Sequence, residues 1–160
     1  MSAHLTAQEI KSRIDHPIID ADGHWLEYSP VFNERLRKVG GEDAVRGWSA
    51  VGGGTRSVLS MTVEERRRRR ISQEAFWGHP SKNTRDLATA LFPRLLNERL
   101  DEIGLDFAII YPTGGLRVPR VGDGPARRAA CRGYNIVTAE YFGPFSDRMT
   151  PAAIIPMHTP

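Results

Sequence analysis

One cysteine in 160 residues excludes a disulfide framework, and the absence of any glycine period excludes a collagen-like chain. No apolar run approaches the roughly 18 residues that a membrane span needs, so no membrane partner is expected. The first ten residues contain an acid and no apolar stretch, which excludes a secretory leader and makes a reducing, cytoplasmic setting the expectation. Charge of one sign is also scarce: 22 Lys and Arg against 19 Asp and Glu leave +3. Five of the arginines form a single run, Arg66–Arg70, so this small excess does not by itself point to nucleic acid. What is present is ordinary for a globular chain: 40% hydrophobic and 26% charged residues, at a length suited to one domain.

Along the chain, 1–15 reads as a polar arm with a helical turn over 7–14. Pro17-Ile18-Ile19-Asp20-Ala21-Asp22-Gly23-His24 reads as a strand opened by proline, and Pro30 starts a helical segment reaching Lys38. The stretch 39–80 reads as an insertion loop carrying an arginine-rich helix. Its glycines, Gly52-Gly53-Gly54 included, show no clean period. That triplet lacks the Lys-Ser/Thr ending and preceding strand of a phosphate loop. Thr62 and Glu65 have capping-box spacing and predict a helix start.

From Thr84 to Ile103, Leu87, Leu91, Leu95 or Leu96, Leu100 and Ile103 line one helical face, divided by Pro93 and stopped by Gly104. The apolar run 105–111 predicts a strand buried on both faces. A helix over 126–142 and a third strand over 149–156 follow. Strands alternating with helices predict a parallel α/β sheet. A chain stopping directly after a buried-type strand is expected to be a fragment.

The chemistry concentrates in Asp20-Ala21-Asp22-Gly23-His24. Strict alternation on a strand would project Asp20, Asp22 and His24 from one face. A carboxylate and an imidazole two residues apart can reach one divalent ion. The same spacing also suits a solvated strand edge or a plain Asp–His hydrogen bond. Glu27 could orient His24 or contact substrate, or be an exposed loop acid. Tyr111 and Thr113 close the second strand, where Tyr111 also reads as a core residue, and His158 follows the third. His79, between Trp77 and Pro80, suits a substrate lid or the packing of a long loop. Cys131, among Arg127, Arg128 and Arg132, reads as a half-buried helix cysteine rather than a reactive thiol.

The segment Ile18-Ile19-Asp20-Ala21-Asp22-Gly23-His24-Trp25-Leu26-Glu27 resembles the opening strand of the amidohydrolase-related family, the branch of aminocarboxymuconate-semialdehyde and resorcylate-type decarboxylases. The run Arg94–Thr113 is similar to that family's first long helix and second strand. Tyr134-Asn135, followed by Asp147-Arg148 before the third strand, resembles its third unit. The resemblance implies the first three βα units of a TIM-like (β/α)8 barrel, with 1–160 the N-terminal part of one domain. It implies a divalent metal, zinc or manganese, held by Asp22 and His24, and later ligands that have no counterpart here. Asp20 matches no ligand and is expected to orient one or to serve the fold. The implied activity is hydrolysis or non-oxidative decarboxylation of a small carboxylic substrate, by a homo-oligomer when full length. The alternative is an inactive truncated chain that binds anions or nucleic acid through Arg66–Arg70.

Overall fold

Side-chain caps and prolines set most of the element boundaries in the computed structural model, which describes residues 4–51, 62–68 and 83–157. Thr6 and Glu9 form a reciprocal capping box that opens α1 (Ala7–Lys11). After Pro17 the chain enters β1 (Ile19–Trp25) and then α2 (Ser29–Val51). Thr62 Oγ1 accepts from the Glu65 N–H while Glu65 Oε2 accepts from the Thr62 N–H, so the expected capping box does open α3 (Val63–Arg68). Asn83 caps α4 (Thr84–Leu91), and Pro93 at the first turn of α5 (Pro93–Ile103) separates the two helices as expected. Gly104, in the left-handed region at φ 91°, ends α5 and leads into β2 (Phe107–Pro112). A 3-10 turn (Gly115–Arg120), the Asp123-capped α6 (Gly124–Phe142), a second 3-10 turn (Gly143–Phe145) and β3 (Met149–Pro151) complete the order.

Two expectations are corrected. The stretch from Val39 is no loop as far as Val51; it continues α2, with one break at Gly41, whose φ of 69° bends the helix. The third strand keeps ladder pairing only over Met149–Pro151, not to Pro156.

The protein is an α/β structure in which three parallel strands, in the order β1-β2-β3, alternate with helices, and the sheet is not closed into a barrel. The central strand alternates rather than being buried on both faces. Ala108 and Ile110 point into the helical layer, whereas Phe107, Ile109 and Tyr111 are only half-buried on the other face. The main helical contact is α2 against α6, at small residues: a Cβ on Gly47 would collide with the Ala126 carbonyl oxygen, and one on Gly133 would lie 2.7 Å from Leu36 Cδ1. Trp25, the last residue of β1, carries the core. Its ring meets Phe32, Tyr134, Tyr141 and Phe142 at centroid distances of 5.6–6.4 Å, and its indole N–H donates to the Leu91 carbonyl. Each such ring removes roughly 150–250 Å² from water, about 4–6 kcal/mol before the entropy of ordering is subtracted. No helix among the described residues is long and apolar enough to cross a membrane.

Candidate functional site

The C-terminal end of β1 is shaped by a bulge. Asp20 pairs with Ala108 but Gly23 with Ile110, so three residues on β1 advance against two on β2, and Ala21 and Asp22 share the place opposite Ile109. The extra residue changes the phase of the strand. Asp20 therefore turns to the helical side: its Oδ2 lies 3.2 Å from where a Gly23 Cβ would stand, beside Ile110 Cδ1. There it borders a cleft of about 340 Å³ with Ala108, Ile110 and Arg99. His24 pairs with Tyr111, on the other face of the ladder from Asp20 and Ala108, although it too borders that cleft, and its Nε2 lies 3.8 Å from Asp22 Oδ1. The expectation that all three project together is thus corrected. Asp20 serves the bulge instead, its Oδ1 accepting the Asp22 N–H at 2.9 Å.

His24 is the better-held member of the pair. Its ring is opposite Tyr111 across the ladder, at 6.2 Å between centroids, and its Nδ1 lies 3.2 Å from Thr113 Oγ1, just beyond the end of β2. With Nδ1–H donating to that hydroxyl, the Nε2 lone pair is the one on the Asp22 side. The His24 side chain is 22% exposed and that of Asp22 90%, so Asp22 loses almost no hydration and the 3.8 Å approach by itself adds little stability. An oxygen and an imidazole nitrogen side by side, the imidazole oriented from behind, suit two ligands of a divalent ion. No group of three or more His, Cys, Asp or Glu positioned for a metal occurs among the described residues. Among the described residues the pair therefore offers two donors and no third.

Glu27 neither touches His24 nor lies open. Its Oε2 accepts the Gly114 N–H at 2.8 Å, and its Oε1 accepts the Gly115 N–H at 2.9 Å and the Tyr134 hydroxyl at 2.8 Å. Burial, reinforced by the adjacent carboxylate, pushes the Tyr134 phenol well above its ordinary value and keeps it a proton donor. Gly115 is required here by space, since a Cβ would lie 2.7 Å from the Tyr134 ring and from Pro112 Cβ. Gly114, Gly115 and Tyr134 escape a reading based on ionisable motifs. The Gly-Gly pair directly after a strand was the available signal.

Cys131 is fully buried on α6, and desolvation pushes its thiol up although Arg127 pulls the other way, which makes it a packing residue. A second cleft, about 760 Å³, lies at the other end of the strands beside α1. Two of its three acids are committed to the fold: Asp106 accepts from the Ile18 N–H and pairs with Lys11, and Asp101 pairs with Arg148, whereas exposed Asp15 meets only its neighbour His16. Gly52–Gly54, His79 and His158 lie outside the described residues, as does the Arg66–Arg70 run apart from the backbone of Arg66–Arg68 in α3.

The chain matches no family model, no curated protein and no solved structure.

Proposed function

We propose that the chain is the N-terminal portion of a metal-dependent enzyme of the amidohydrolase-related kind, acting on a small carboxylic substrate by hydrolysis or non-oxidative decarboxylation. The observation that carries this reading is the Asp22–His24 pair. Its carboxylate and imidazole sit 3.8 Å apart at the C-terminal end of the first parallel strand, and Thr113 engages the far nitrogen of the ring. Active sites of (β/α)8 enzymes lie at that end of the strands. Parallel β1 and β3, each with an unpaired edge among the described residues, suit a barrel whose ladder continues on both sides. Full-length homo-oligomers belong to the same reading.

Asp22 and His24 would hold the ion, zinc or manganese, which supplies Lewis-acid charge when bound. Thr113 holds the His24 ring in the orientation that turns Nε2 toward Asp22. Tyr111, beside His24 on the half-buried face, forms part of the wall against which a small substrate would lie. Equilibrium dialysis of the full chain against Zn²⁺ tests the reading. One ion per chain is expected, weakly held because a catalytic zinc ordinarily has three protein ligands, and lost in Asp22→Ala/His24→Ala. Zinc uptake unchanged by the double substitution would overturn it.

A further inference from the structure

Two hydrogen bonds close a ring through the C-terminal ends of β1 and β2. The ring runs along the backbone from His24 through Trp25 and Leu26 to Glu27. It crosses from the Glu27 carboxylate to the Gly114 N–H, steps back one residue to Thr113, and returns from the Thr113 hydroxyl to His24 Nδ1. We propose that Glu27 is the positioning residue of this site. By gripping the Gly114 and Gly115 N–H groups it sets the Thr113 hydroxyl, and through it the tautomer and angle of the His24 ring.

The arc from His24 to Glu27 is anchored on its other side, which is what lets Glu27 act as a fixed point. Trp25 is 3% exposed, its indole N–H is bonded to the Leu91 carbonyl, and the Leu26 N–H donates to the Ala90 carbonyl at 2.8 Å. Glu27 is further committed by Tyr134, so its two oxygens accept three protein donors. A carboxylate has about four lone-pair positions, and this one has little capacity left for substrate or metal. A role through Thr113 is therefore favoured over direct contact. The turn it holds has no slack: a Cβ on Gly114 would lie 2.8 Å from Trp48 Cη2, in addition to the crowding at Gly115. Displacing the carboxylate must move Thr113 or break one of its bonds. Glu27→Gln keeps the shape but sets an NH₂ group against a backbone N–H.

The positioning role rests on the reading of His24 as a ligand for its purpose, but it is tested without metal. Imidazole ¹⁵N–¹H spectra of the metal-free full chain, at one fixed pH, report the His24 tautomer. In the wild type the Nδ1–H form is expected to dominate. Thr113→Val is expected to shift His24 toward the Nε2–H form usual for free imidazole, with Thr113→Ser restoring the original spectrum. Glu27→Gln is expected to move it in the same direction by at least half as much. Tyr134→Phe, which leaves both glycine N–H bonds in place, serves as the milder variant should Glu27→Gln unfold, and is expected to give a smaller change in the same sense. A His24 spectrum unchanged in both Glu27→Gln and Tyr134→Phe, with Thr113→Val still shifting it, would overturn the positioning role. A wild-type His24 already in the Nε2–H form would overturn it as well, whereas the ligand reading is decided separately by zinc uptake.

Discussion

The side-chain amide of Asn135 closes on both backbone groups of Ile154: its Nδ2 donates to the carbonyl and its Oδ1 accepts the N–H, each at 2.9 Å. The amide thereby stands in for a strand partner just where β3 leaves the ladder at Pro151. Helix α6 thus fixes the segment at Ile154, beyond Ala152, whose N–H is the last to donate to β2, at the Ile110 carbonyl. Asn135→Ala is expected to destabilise the chain by about 1–3 kcal/mol, because it leaves a half-buried carbonyl and N–H without their partner. Urea titration measures that loss. Hydrogen exchange should rise at Ile154 first, and exchange unchanged there would contradict the clamp.

The α2–α6 contact predicts a large difference between two glycines. Gly47→Val is expected to cost roughly 1–3 kcal/mol or to prevent folding, because its side chain would drive into the Ala126 carbonyl. Gly122→Ala, with nothing within 4 Å of the added carbon, is expected to be neutral or slightly stabilising. Thermal midpoints of the two variants decide the matter, and equal effects would contradict this packing.

Tyr134 predicts the alkaline limb of stability. Its folded-state value is raised above the ordinary 10.0, so the folded chain retains a proton that the unfolded chain releases. That contribution is complete below pH 10 and is lost as pH climbs through the folded value. Tyr134→Phe should flatten the fall in unfolding midpoint above pH 10, although it loses the bond to Glu27 at every pH.

Asp106 predicts the acid limb. The Ile18 N–H, then Lys11, hold its carboxyl below the ordinary 3.8. Its contribution is present above that value and lost as pH falls through the folded one. Asp106→Asn should show a shallower acid transition than the wild type in urea titrations between pH 5 and 2.

Much of the element order was legible because local chemistry sets it: the capping box at Thr62, Pro93 between two helices, Gly104 as a helix stop. The helix through Gly40 and Gly47 was missed because those glycines were read as loop formers. Their spacing with Ala44, at i, i+4 and i+7, is that of a small-residue stripe facing α6. The partner surface that makes the stripe useful lies some 80 residues away in sequence. Asp20 was misplaced for a comparable reason. Alternation assumes an unbroken ladder, and the bulge opposite Ile109 depends on β2, which the residues of β1 do not encode. Bringing Asp22 close to His24 needed only local spacing, and the two stand 3.8 Å apart. The commitment of Glu27 needed Gly114 and Tyr134, 87 and 107 residues away.

The most direct test of the metal-site reading uses Mn²⁺ as a paramagnetic probe of the five histidines, His4, His16, His24, His79 and His158. Sub-stoichiometric Mn²⁺ added to the full chain at neutral pH should broaden the His24 imidazole resonances first. Asp22→Asn should raise the Mn²⁺ concentration needed by about tenfold, in line with the loss of a single ligand. His24 resonances that stay sharp while the other histidines broaden, or broadening at His24 indifferent to Asp22→Asn, would contradict a metal site at the end of β1.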